Sequence, residues 1–134
     1  MKYIMIAKQF PAYHPKAGQL TGFRNSILTG RKIHTLRNTA GGKATGDTVS
    51  LREWAGRPYA SKQVEFARCR LRVERLKITL DDDWATLTTL AQHDGFNTVA
   101  DFVAWFKCDV YTMQFDGVRI WFEFVAPVAG KDAQ

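Results

Sequence analysis

The segment from Lys62 to Ile78 carries the longest strand signal in the chain, and the parity of its apolar residues changes twice along the way. Val64 and Phe66 share one parity, Cys69, Leu71 and Val73 the other, and Leu76 and Ile78 return to the first. Side chains of a regular strand alternate between the two faces, so each change requires a bulge or a sharp bend. Bends of this kind turn the corners of a small closed barrel.

The rest of the chain supplies further strands and a few helices. Residues 2 to 10 read as a buried first strand stopped by Pro11, and Pro11 to Gly22 as loop. Thr21 can cap a short helix carrying Phe23, Ile27 and Leu28, with Gly30 in place for a left-handed C-terminal cap. A strand is expected from Lys32 to Arg37, turns from Asn38 to Asp47, and another strand from Thr48 to Trp54, ended by Gly56-Arg57-Pro58. Asp81 to Asp83 can cap a helix running to about Gln92. Asn97 can cap a second, in which Val99, Phe102, Val103 and Phe106 form a core-facing stripe. Val118, Ile120, Phe122 and Phe124 alternate with polar or amphipathic neighbours as a last strand buried on one face. The tail from 127 to 134 is expected to be loose. These elements predict an α+β fold, a small β-barrel of mixed or antiparallel strands with two or three flanking helices.

With 134 residues the chain has room for one domain. Apolar residues at 46% and charged residues at 24% match ordinary globular proteins and not disordered ones. No apolar run is long enough to span a bilayer, and Lys8 interrupts the only candidate for a leader, so a cytoplasmic location is expected. Cys69 and Cys108 show neither a disulfide pattern nor metal-type spacing and read as reduced core thiols. Nineteen Lys and Arg against thirteen Asp and Glu leave a net charge of +6, which favours phosphate-bearing partners without identifying one.

Within Lys32 to Arg37 the apolar residues Ile33 and Leu36 lie three apart, on opposite faces of any regular strand. Either one of them is exposed or the backbone is irregular. An irregularity would bring Lys32 and Thr35 to one side. Without it they are a surface lysine and a half-buried strand threonine.

The run Gly30-x-Lys32-x-x-Thr35-x-Arg37, preceded by Ser26-Ile27-Leu28-Thr29, resembles the Gly-x-Lys-x-x-Glu-x-Arg motif of ASCH domains, with Thr in place of the motif Glu. That replacement is also found in the small bacterial ASCH-fold amidohydrolases that remove acyl groups from N4-acetylcytidine. The resemblance extends to the Gly46-Asp47 turn and, more loosely, to the aromatic-rich final strand. It implies a PUA-like barrel and hydrolysis of the amide of N4-acylated cytosine nucleosides, with Thr35 as nucleophile and Lys32 as base. The family acid falls at Asp94, one methylene shorter than the usual Glu; the other reading of Asp94 is a helix-end carboxylate satisfying backbone amides. No cofactor or metal is implied; the expected partner is a small nucleoside substrate, with no membrane, and the protein is expected to be a monomer or dimer. A non-catalytic RNA-binding or modified-base-reading module is the alternative, since PUA-like barrels resemble one another and +6 suits RNA.

The chemistry accounts for these residue types. Amide hydrolysis needs a nucleophile, a base, oxyanion stabilisation and an acid for the departing amine. Lys32 acts as a base only if it is partly neutral, and burial together with Arg31 and Arg37 pushes it that way. A flat base is bound by stacking and edge hydrogen bonds, for which Phe23, Trp54 and Tyr59 supply rings and Arg52, Ser61 and Lys62 polar groups. Each of these has an equally ordinary structural role in a barrel. Gly41-Gly42-Lys43-Ala44-Thr45-Gly46 lacks the spacing and the following helix of a phosphate loop and reads as a turn. His14, His34 and His93 show no metal-binding spacing, and His34 is placed to face the pocket from the strand that carries Thr35.

Overall fold

A computed structural model describes residues 1–133, with side chains described through residue 128. Among the described residues, five strands form one curled mixed sheet. They are β1 (Tyr3–Met5), β2 (His34–Arg37), β3 (Thr48–Trp54), β4 (Gln63–Ile78) and β5 (Phe115–Ala133), in the spatial order β1-β3-β4-β5-β2. Only the β1–β3 pair is parallel. Three helices accompany the sheet among the described residues: α1 (Phe23–Leu28), α2 (Trp84–His93) and α3 (Val99–Trp105). No helix among the described residues is long and apolar enough to cross a membrane.

The first change of parity in β4 is a bulge. The adjacent β3 residues Leu51 and Arg52 oppose Ala67 and Glu65, so Phe66 is the inserted residue, and Phe66 and Ala67 are both buried although adjacent. The second change is not. From Arg70 to Ile78 the pairing with β5 runs in unbroken register, so twist of the long ribbon turns Leu76 and Ile78 toward the core without an inserted residue. Phe124, expected inside, is 81% exposed. It sits at φ 53° where Arg68 and Arg70 oppose Ala126 and Glu123, so β5 carries the extra residue and turns the ring outward. β5 then continues past Pro127, where a loose tail is expected, and its backbone pairs with β4 as far as Ala133. Proline is tolerated there because β2 pairs only with Val118 to Trp121, leaving the other side of Pro127 without a ladder.

Helix boundaries follow the capping chemistry. Asp83 accepts from the Thr86 amide at 2.8 Å and starts α2. Thr98, not Asn97, caps α3 by accepting from the Asp101 amide at 3.1 Å, while Asn97 accepts from the Arg31 guanidinium. Gly22, not Thr21, is the N-cap of α1, at φ 70° and with no side-chain capping bond, although the Thr21 hydroxyl accepts from the Phe23 amide at 3.2 Å; Gly30 takes φ 78° after α1, as the sequence predicts. The first strand is shorter than expected, since regular pairing ends at Met5. Phe66, Phe102, Leu51, Leu71 and Ile27 are almost completely buried between sheet and helices. Each such side chain stabilises the fold by about 1.5–3 kcal/mol.

The loop from Pro11 to Gly22 is fastened to α3. His14 Nε2 lies 2.9 Å from the Asp101 carbonyl, while His14 Nδ1 accepts from the Lys16 amide at 3.0 Å, so Nε2 carries the proton. Lys16 also pairs with the Asp101 carboxylate at 2.6 Å.

The sheet does not close through a backbone ladder. Between β1 and β2, the Arg37 side chain donates from Nη2 to the Met5 carbonyl at 2.8 Å and bridges the two edge strands. A cavity opens beside this seam.

Candidate functional site

The α1–β2 junction decides where the amine goes. With Gly30 in the left-handed region, the chain reverses tightly enough for the Arg31 and Lys32 amides both to donate to the Ser26 carbonyl, at 2.8 and 2.9 Å. The Ile33 amide donates to the His93 carbonyl and the Ile33 carbonyl accepts from the Phe122 amide, both at 2.9 Å. Regular strand begins only at His34, two residues later than the sequence suggests. Lys32 therefore lies outside the strand alternation, and it and Thr35 reach the same cavity.

The carboxyl group arrives from the opposite direction. Asp94 is the C-terminal cap of α2, its amide donating to the Leu90 carbonyl at 2.9 Å. The following Gly95 is required twice over. It takes φ 86°, and a Cβ there would stand 3.0–3.2 Å from three carbons of the Lys32 stem. This close approach lets Lys32 Nζ donate to the Asp94 carbonyl at 2.7 Å and to Asp94 Oδ1 at 2.9 Å. Nζ also lies 4.4 Å from the centre of the Phe23 ring.

Both partners are about 3% exposed. Burial pushes the Lys32 amine below the ordinary lysine range, against the attraction of Asp94, and pushes the Asp94 carboxyl above the ordinary aspartate range, against the pull of Lys32 and Arg37. In both groups the cost of desolvation outweighs the attraction between the partners. Thr35 is 7% exposed, and its Oγ1 lies 3.4 Å from the Arg37 Nε that donates to it. A guanidinium donating to a hydroxyl oxygen favours the alkoxide over the alcohol.

The cavity has a volume of about 920 Å³. Lys32, Thr35, Arg37 and Asp94 line it together with the rings of Phe10, Phe23, Phe96 and Trp105. Trp54 and Tyr59 also line it, with ring centres 5.2 Å apart; Tyr59 is 91% exposed, which places this pair at the opening. Of the predicted site residues, Lys32, Thr35, Asp94, Phe23, Arg37, Trp54 and Tyr59 thus share one cavity. The others do not line it. Arg31 turns outward to Asn97. Arg52 is held by Ser50 Oγ at 3.0 Å and Gln63 Oε1 at 2.9 Å, and covers the Tyr3 ring. Ser61 is part of a turn, accepting from the Gly56 amide and donating to the Arg57 carbonyl. Lys62 contributes its carbonyl to the same turn, accepting from the Ala55 amide at 2.8 Å.

His34 does not face the cavity as expected. Alternation along β2 sends Thr35 to the cavity and His34 to the other side, where it is fully buried against Trp121 and His93, with ring centres 5.3 and 5.9 Å away. Its Nε2 stands 3.9 Å from Asp94 Oδ1, and among the described residues neither ring nitrogen completes a hydrogen bond. Burial, then the positive charge of Lys32, pushes its pKa down to about 3, so the ring is neutral. Phe96, Trp105, Lys8 and Arg57 are lining residues that sequence reasoning does not single out. Phe96 could be found from its place two residues after Asp94. The other three carry no local signal, because they reach the cavity from separate segments.

Among the described residues, no three His, Cys, Asp or Glu side chains are grouped so as to hold a metal ion. Cys69 is buried, with its thiol pushed up to about 12, and Cys108 is half-buried; neither is bridged. Compared with protein-family profiles, curated proteins and solved structures, the chain matches none.

Proposed function

We propose that the protein is an amidohydrolase that cleaves the amide of N4-acylated cytosine nucleosides, releasing cytidine and the carboxylate from N4-acetylcytidine. The observation that carries this reading is the convergence of an amine, a secondary alcohol and a carboxyl group, all nine-tenths or more buried, on one ring-lined cavity. Lys32, as neutral amine, takes the proton of Thr35 while Thr35 Oγ1 bonds to the acyl carbon. As the tetrahedral intermediate collapses, the bond from the acyl carbon to N4 breaks and Asp94 gives its proton to the departing amine. This leaves an ester on Thr35. The proton held by Lys32 passes to the Asp94 carboxylate 2.9 Å away, which frees the amine; Lys32 then takes a proton from water as the water oxygen bonds to the acyl carbon, and returns it to Thr35 Oγ1 as the ester bond breaks and the carboxylic acid leaves. The Arg37 guanidinium holds Thr35 Oγ1 and favours negative charge beside it.

The finer fold assignment, a PUA-like barrel of the ASCH type, belongs to the same proposal. It rests on Gly30-x-Lys32-x-x-Thr35-x-Arg37 and on a curled mixed sheet with helices at its seam. A second reading keeps the pocket and drops the chemistry, a module that binds RNA or a modified base, and the net charge of +6 favours it.

One incubation separates the two. Protein mixed with N4-acetylcytidine is expected to yield cytidine and acetate by chromatography, with at least about a 100-fold loss of rate in Lys32→Ala and in Thr35→Ala. No cytidine from the wild-type protein, or undiminished turnover by Thr35→Ala, would sink the hydrolase.

A further inference from the structure

Among the described residues, the basic side chains of Lys8, Lys32, Arg37 and Arg57 line the cavity against a single acid, Asp94. The pair Lys32–Asp94 is internally balanced at 2.9 Å. Arg37 is turned to the Met5 carbonyl and Thr35. That leaves Lys8 and Arg57, both exposed, and among the described residues neither is paired with a carboxylate. Glu53, which lies near Lys8 along a neighbouring groove, is held by Arg24 at 3.0 Å.

These two cations are not loose surface groups. Lys8 Nζ donates to the Ala55 carbonyl at 3.3 Å, which ties it to the loop that carries Arg57. That loop is pinned in turn, with the Gly56 amide donating to Ser61 Oγ at 3.0 Å and Ser61 Oγ donating to the Arg57 carbonyl at 2.7 Å. The Trp54–Tyr59 ring pair stands beside them. At about 920 Å³ the cavity lies toward the upper end of the range for ligand pockets, roughly 300–1,000 Å³, so there is space for more than a base and a sugar.

We infer that Lys8 and Arg57 form an anion-binding subsite at the cavity opening, so that the molecule bound there carries a phosphate or carboxylate in addition to its planar base. The identity of the base rests on the function proposed above; the anionic subsite does not. With the reacting groups at the buried end, a nucleoside whose acylated base lies against Thr35 has its ribose directed outward. The anion reaching Lys8 and Arg57 is then a 5′-phosphate. A carboxylate at the far end of an acyl chain is the other source of the same chemistry.

Calorimetric binding to the Thr35→Ala protein, which leaves acylated ligands intact, tests the subsite with four ligands: cytidine, cytidine 5′-monophosphate, N4-acetylcytidine and N4-succinylcytidine. The phosphate should tighten binding by about tenfold or more at about 50 mM salt, and most of this gain should vanish at about 500 mM. The gain should also vanish when Lys8→Ala and Arg57→Ala are added, and survive Lys8→Arg with Arg57→Lys. A gain for the succinyl over the acetyl ligand, with none for the phosphate, assigns the anion to the acyl end. Equal affinities within both pairs, a gain that persists without Lys8 and Arg57, or no binding of any ligand overturns the subsite. Should the double alanine variant fold poorly by circular dichroism, Arg57→Gln alone must reduce the gain or the subsite is likewise overturned. Because these are binding measurements, discrimination between the ligands by the Thr35→Ala protein, together with no release of cytidine from N4-acetylcytidine by the wild-type protein, would reject the hydrolase and retain the subsite.

Discussion

Burying a histidine beside a lysine amine forces the ring to stay neutral, and that constraint ties the stability of this protein to pH. Burial first, then the charges of Lys32, Arg119 and His93, lower the His34 pKa from the ordinary 6.5 to about 3, with Asp94 Oδ1 3.9 Å from Nε2. Between these values the unfolded chain binds a proton that the folded chain refuses. The contribution is therefore fully present above about pH 6.5 and is lost as pH falls toward 3. Each pH unit in that window removes at most about 1.4 kcal/mol. Urea unfolding at pH 7 and at about pH 4.5 should show wild type losing roughly 2 kcal/mol more than His34→Leu over the interval; equal losses would mean another group controls the acid limb. Gly95 offers a second test at this scale. Alanine there must take φ 86° and press on the Lys32 stem, so Gly95→Ala is expected to cost about 1–2 kcal/mol in melting experiments. Under the proposed amide hydrolysis it should also lower the turnover of N4-acetylcytidine well beyond what that stability loss explains, because the amine is displaced. At the level of single residues, Lys32, Thr35 and Asp94 were legible as a set only through the resemblance of Gly30 to Arg37 to a known motif. Local pattern leaves Lys32 and Thr35 on opposite faces, and only the hydrogen bonds of the Gly30 turn remove the conflict.

Among the elements, those with an alternating or capped signature are readable in advance. Thr48–Trp54 has the expected bounds, and β4 begins one residue from where its pattern starts. Two kinds of feature escape such reading. A bulge at Phe124 reverses one side chain without altering the alternation around it, since the extra residue is set by the partner strand. Twist turns the far half of β4 over without any local mark, so it looks like a bulge in the sequence. The β2–β5 pair holds another long-range constraint at Gly117. A Cβ there would clash with the Arg37 carbonyl and stand 2.6 Å from Phe115 Cζ. Gly117→Ala should force the two strands apart, lowering stability by about 3 kcal/mol or more and weakening amide-exchange protection in His34–Arg37. A variant with wild-type melting and wild-type protection would show that the strands have slack at this point.

For the whole molecule, the sheet's edges matter more than its interior. β1 and β2 face each other without a ladder, and the Arg37 side chain spans the gap to the Met5 carbonyl while also reaching Thr35. Arg37→Met should leave that carbonyl without its donor and cost about 1–3 kcal/mol. Faster hydrogen exchange should appear in Tyr3–Met5 and stay unchanged in the β4 core; a uniform change along the sheet would deny Arg37 its bridging role. The barrel-like curl was foreseeable from the parity changes in β4, but the open seam was not, because it depends on which edge strands come to lie last in the sheet order. The position of Lys8 and Arg57 on the cavity was hidden for the same reason.

A join made by one guanidinium yields where a row of amide bonds would resist. The cavity lies along that join, so its width can follow the bulk of an occupant at the expense of a single contact, and steric exclusion is a weak filter here. Selection among guests of different size then falls to whatever the rigid end can measure, where Lys32 draws both its bonds from Asp94 and the two groups move as one body with the end of α2.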